Sequence, residues 1–124
     1  MTNSKKLGEL GEKIAQKHLK EKGYKILARN FKKKWGEIDI VAKKRKKIVF
    51  IEVKTIRKKE GFFPEDEIDQ KKKKQLIKID QIYLQESKIP LETPWQIDII
   101  AIEISPNLKK AKIRHYKNAV EDIY

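Results

Sequence analysis

Glu52 and Lys54 lie two residues apart in the run IVFIEVKT, where the other positions from Ile48 to Val53 are all apolar. Side chains alternate along a strand, so both charges share one face, about 7 Å apart. Apolar residues on both faces of the run mark a central strand covered on both sides. Taking a charge out of water is costly unless it is paired or bound to a metal, so this placement calls for a chemical reason. Asp39, in WGEIDIVA, supplies a matching carboxylate: by alternation Ile38 and Ile40 take one face, and Glu37, Asp39 and Val41 the other. If a hairpin register sets Asp39 beside Glu52, two carboxylates and a lysine converge. That set suits Mg²⁺, which takes one or two carboxylates and keeps several waters. The competing reading is a buried Glu52–Lys54 ion pair with Asp39 at a strand edge.

Context, not spelling, carries this signal. An acid followed two residues later by a base also occurs at Asp69 and Glu86, in a lysine-rich helix start and a loop, where solvated charge suffices. A further carboxylate comes from the first helix. On a helical wheel Glu12 lies with Gly8, Ala15 and Leu19 at the border of the apolar stripe. It either reaches inward, with Gly8 leaving room one turn earlier, or stays in water on the flank.

These residues must be positioned by a small set of elements. Leu7, Leu10, Ile14, Ala15 and Leu19 recur at helical spacing, predicting a helix over 5–22 that Asn3 or Ser4 caps and Gly23 stops. Strands are expected over 24–31, 35–42 and 48–55, the last two joined by the solvated turn KKRKK as an antiparallel hairpin. Gly61 and Pro64 interrupt the pattern. A second helix follows over 67–85, with Ile68, Leu76, Ile79 and Tyr83 on one stripe, and strands over 95–104 and 111–116 complete the chain. The order α-β-β-β-α-β-β predicts an α/β fold: a mixed sheet of about five strands flanked by helices. The 124 residues fit a single domain, 1–124.

Lys and Arg number 31 against 18 Asp and Glu, a net charge of +13. Basic side chains release counterions when they meet phosphates, so nucleic acid is the expected partner. A lysine-rich, thermophile-type surface is the bland alternative. No stretch approaches the roughly 20 apolar residues of a membrane span. MTNSKK leads into a charged segment, with no apolar core of a secretory signal. Cysteine is absent, which excludes disulfides and thiolate metal sites. A cytoplasmic protein without a membrane partner is expected.

The segments GELGEKIAQKHLKEKGYKILARN, WGEIDIVA and IVFIEVKT together resemble the signature of the YraN-like family. Its fold is related to restriction endonucleases of the PD-(D/E)xK class and to archaeal Holliday-junction resolvases. The resemblance runs from about Gly8 to Ile104. It rests on the G-x-x-G-E start ending at Glu12, Asn30, GEID at Gly36–Asp39 and E-V-K-T at Glu52–Thr55, with Lys72 four residues before Leu76 and Asp98 in a late apolar strand. It implies that Asp39 and Glu52, with the carbonyl of Val53, ligate Mg²⁺, with Mn²⁺ as the alternative. Lys54 would orient or activate water, and Glu12 would support the metal. Ile38 replaces the proline of the nominal PD pair. The implied activity is metal-dependent hydrolysis of phosphodiester bonds in DNA, rather than RNA, with a structured or branched substrate. The rival readings are a nucleic-acid-binding module that keeps the fold without cutting, and a structural domain whose charge only maintains solubility. A homodimer is compatible with this class, although no stripe marks an interface.

Other residues allow two readings each. Lys71, Lys72, Lys73 and Lys74, the KKRKK turn and the lysines before Trp35 are candidate phosphate contacts or solvated charge. Lys72 reaches a phosphate or snorkels to solvent. Trp35, Phe62 and Phe63 stack on unpaired bases or pack under a loop. Asp98 caps backbone or pairs with a base. His18 is read as a core or boundary residue, sharing no ligand spacing with His115.

Overall fold

Five strands pair in the order in which the chain makes them, β1 to β5. In this computed structural model, described over residues 4–58, 63–107 and 109–120, β1 (Lys25–Lys33), β2 (Gly36–Lys44) and β3 (Lys47–Arg57) form an antiparallel meander. β4 (Trp95–Ile104) runs parallel to β3 from Ile48↔Trp95 to Arg57↔Ile104, and β5 (Ala111–Tyr116) closes the sheet antiparallel to β4. The parallel step needs a crossover, and α2 (Gln70–Glu86) makes it. The mixed five-stranded α/β layout expected from the sequence is therefore present. Asn3, Gly61 and Phe62 fall outside the described residues.

The sheet has an apolar layer on each face. α1 (Ser4–Glu21) packs Ala15 and Leu19 against Ile40, Ala42, Val49, Ile51, Ile100 and Ile102. α2 packs Leu76, Ile77 and Ile79 against Ile38, Val41, Ile48, Phe50, Ile97 and Ile99 on the other face. Ile38 thus sides with Val41 and not, as strict alternation has it, with Ile40. The β2 alternation breaks around Asp39. α1 comes closest to the sheet at Gly11, where an added Cβ would overlap the Thr55 side chain, whereas Gly8 faces open space. Gly11, and not the Gly8 that the sequence sets one turn before Glu12, is where α1 meets the sheet. Gly23, with φ +88°, ends the helix as expected.

α2 starts at Gln70, later than the periodicity indicates, because Pro64–Glu67 forms a short 3-10 helix and Ile68 is extended. Asp69 is its N-cap, accepting the Lys72 backbone N–H at 2.9 Å, a role preferred for Asp and not simple solvation. Glu86 closes the helix and pairs with Lys33 at 2.7 Å. Asp80, also on α2, is buried with neither carboxylate oxygen hydrogen-bonded, and burial drives its pKa well above the usual range.

The 3-10 helix docks on β5 through Glu65. Arg114 Nε donates to Glu65 Oε2 at 2.7 Å and Arg114 Nη2 to Glu65 Oε1 at 2.8 Å, while Nη2 also reaches Glu103 Oε1. The Arg114 bonds, despite partial burial, hold the Glu65 carboxyl at about 2 against an ordinary 4.5, aided by Tyr116. A depressed carboxyl stabilises the fold above its unfolded value and loses that contribution as pH falls through the folded one. Thermal melts taken from neutral pH down to about 2 should therefore show a steeper acid loss in the wild type than in Glu65→Gln. Parallel curves would mean that the pair adds nothing to stability.

Candidate active site

The regular β2–β3 ladder ends at Ile40↔Ile51. One step further, Asp39 Oδ2 accepts the Val53 backbone N–H at 2.8 Å, so a side chain takes a ladder hydrogen bond. The strands part here into a cleft of about 400 Å³. Glu12, Glu37, Asp39, Glu52, Val53, Lys54, Ile68 and Lys72 line it. Every residue expected at the metal and catalytic positions (Asp39, Glu52, Val53, Lys54 and Glu12) is therefore gathered on one wall system. Of the four consecutive lysines at the start of α2, only Lys72 enters; Lys71 and Lys74 are exposed and Lys73 half-buried outside the cleft.

Asp39 and Glu52 are each 8% exposed. Lys72 Nζ stands 3.2 Å from Glu52 Oε2, yet that oxygen has no aligned hydrogen bond. Lys72, for which the sequence offers a phosphate contact or snorkelling to solvent, instead pairs with Glu52. Burial raises the Glu52 pKa well above the carboxylate range, and the hydrogen bond and charge of Asp39 push the same way, with Lys72 opposing. Two carboxylates this close cannot both ionise cheaply. Glu12, half-buried on the cleft wall, is raised to about 6, first by burial and then by Asp39 and Glu37. Its inward reading is the one the geometry supports.

The donors define which ions suit. Among the described residues no group of three or more His, Cys, Asp or Glu side chains is arranged to hold a metal. A closed nitrogen or sulfur cage is therefore absent there. Two carboxylates, one with an unsatisfied buried oxygen, match a hard cation that keeps part of its water shell. Asp39 and Glu52 would hold such an ion, and Val53 lies on the same wall.

Sequence reasoning did not find the Lys72–Glu52 contact or a second polar cluster. His18 Nε2 and His115 Nδ1 stand 3.1 Å apart, and His115 Nε2 is 2.7 Å from Asp98 Oδ2. Residues 97 positions apart carry no spacing signal. Asp98, fully buried, also accepts the Asn118 N–H and the Gln96 amide, which bears out its structural reading. Trp35 and Phe63 are exposed, each beside a cation: Lys78 Nζ lies 4.8 Å from one ring and Arg114 5.2 Å from the other.

Fold and cleft define an α/β protein with a mixed five-stranded sheet and a buried carboxylate pair. The model of the uncharacterised protein family UPF0102 matches residues 11–102, and the chain belongs to that family. This is the YraN family that the motifs resemble. A UPF0102 protein of Caldanaerobacter subterraneus subsp. tengcongensis is 42% identical over 118 residues, 94% of this chain and 96% of the relative. UPF0102 proteins of Roseiflexus castenholzii and Alkaliphilus oremlandii are 35% and 40% identical, each over 94% of this chain and covering 94% and 98% of their own lengths. No helix among the described residues is long and apolar enough to cross a membrane.

Proposed function

We propose that this protein is a metal-dependent phosphodiester hydrolase acting on DNA, with a structured or branched substrate. The observation that carries the reading is the buried Asp39–Glu52 pair with its unsatisfied oxygen, open to a cleft that also holds Lys54 and Lys72. Mg²⁺ or Mn²⁺, when bound, would supply Lewis-acid stabilisation of a phosphoryl oxygen and a more acidic water. The chain's own residues supply the rest. Asp39 is oriented by the Val53 N–H, which fixes one of its oxygens. Lys54 orients water and offsets charge on the phosphate. Glu12, raised to about 6, can hold or release a proton near neutral pH. Lys71, Lys73 and Lys74 supply backbone contacts beyond the cleft, in keeping with the +13 charge.

One observation favours a second reading. Lys72 already sits against Glu52, as in a site where an ion pair has replaced the cation, leaving a DNA-binding module. Titration calorimetry with Mn²⁺ separates the two. The hydrolase reading expects binding to the wild type, about 100-fold weaker in Asp39→Ala, together with cutting of at least one branched or linear DNA in a panel. DNA binding without Mn²⁺ binding or cutting would establish the module instead.

A further inference from the structure

A second cavity lies at the far end of the β2–β3 hairpin from the carboxylates, and its chemistry is opposite. It encloses about 560 Å³, and its lining carries Lys44, Arg45, Lys46, Lys47 and Lys117 with no carboxylate. Lys47 and Glu52 are five residues apart on β3, so the two sites are about 17 Å apart along the strand.

Three features make this more than a solvated turn. First, the cations that the structure orients are held by neutral groups. Lys44 Nζ donates to the Lys22 carbonyl and lies 5.0 Å from the Tyr24 ring centroid, and Lys47 Nζ donates to Gln96 Oε1 at 3.0 Å. Second, the floor is fixed from below. Fully buried Asp98 holds the Gln96 amide at 2.7 Å and the Asn118 backbone N–H at 2.9 Å, and its other oxygen engages His115. Third, Arg45 takes the left-handed conformation, φ +58°. Hairpin turns favour Gly or Asn there, and an arginine kept in that region is the kind of strain that accompanies function.

We propose that this pocket binds the terminal phosphomonoester of a nucleic-acid strand. A phosphomonoester carries close to two negative charges at neutral pH, whereas each backbone diester carries one. Duplex backbone is convex and would touch only the rim lysines. A protruding end group can enter the cavity and engage Lys44 and Lys47 together. The proposal rests on the nucleic-acid part of the function above and not on hydrolysis.

The test is fluorescence anisotropy in EDTA, where cutting cannot contribute, with short single-stranded DNAs that differ only in a terminal phosphate. Phosphorylated strands should bind about 10-fold more tightly to the wild type. The preference should vanish in Lys44→Gln/Lys47→Gln and persist in Lys109→Gln/Lys112→Gln, which removes equal charge from the β4–β5 region. Arg45→Gly should weaken the preference while raising the melting temperature by about 3 °C, since glycine accepts the turn without strain. Equal binding of both strands, or a preference that survives the Lys44/Lys47 change, overturns the proposal. So does equal competition by inorganic phosphate, which would mark a general phosphate site. An end preference in a protein that never cuts DNA leaves the pocket standing and removes only the hydrolase.

Discussion

In Glu52→Gln the fold should hold at least as well as in the wild type while Mn²⁺ affinity falls by about 100-fold. Burial and the Asp39 neighbour raise the Glu52 carboxyl far above its ordinary 4.5. An acid with a raised folded pKa binds its proton more tightly when folded. Its stabilisation is complete below the unfolded value and declines as pH rises from there toward the folded one. The amide keeps the shape and cannot ionise. Melts in EDTA between about pH 5 and pH 9 should therefore fall for the wild type relative to the variant. A variant that binds Mn²⁺ undiminished would remove Glu52 from the chemistry. A variant that unfolds would mean that Glu52 is a structural ion-pair partner of Lys72.

Gly11→Ala should destabilise the protein by about 3 kcal/mol, at the upper end of overpacking effects. The added methyl would overlap Oγ1, Cβ and Cγ2 of Thr55, so neither a rotamer change nor a small shift relieves it. Thr55→Gly in the same chain should restore part of the loss in urea unfolding. A single variant with the wild-type midpoint would show that α1 does not rely on this contact. The site is affected too, since Gly11 precedes Glu12 and Thr55 follows Lys54. Displacing the helix here moves the third carboxylate away from the other two.

Most of the sheet was legible because its signals are local. IVFIEVKT and WQIDIIAIEI are nearly continuous apolar runs, and continuous runs make central strands. β3 and β4 are neighbours, in parallel register over ten residue pairs. The cleft carboxylates were legible for the related reason that a charge inside such a run stands out. What escaped depended on contacts between distant segments. Lys72 reaches Glu52 only because the crossover returns α2 over that face. His18 meets His115 because α1 and β5 share the other face. The helix start was misplaced because Pro64 opens a 3-10 turn as readily as an α-helix, and the cap at Asp69 is a matter of backbone geometry. Ile38 was misassigned because alternation presumes an unbroken strand.

The Val53 amide gives the cleft its own reporter. Its partner is a carboxylate and not a backbone carbonyl, so its protection from hydrogen exchange follows the charge and position of Asp39 and not sheet stability alone. Its neighbours Ile51 and Phe50 exchange with the ladder. Any cation, proton or phosphate that draws Asp39 away would speed exchange at Val53 while those two stay slow. One backbone resonance could thus register occupancy of the cleft before any product is formed.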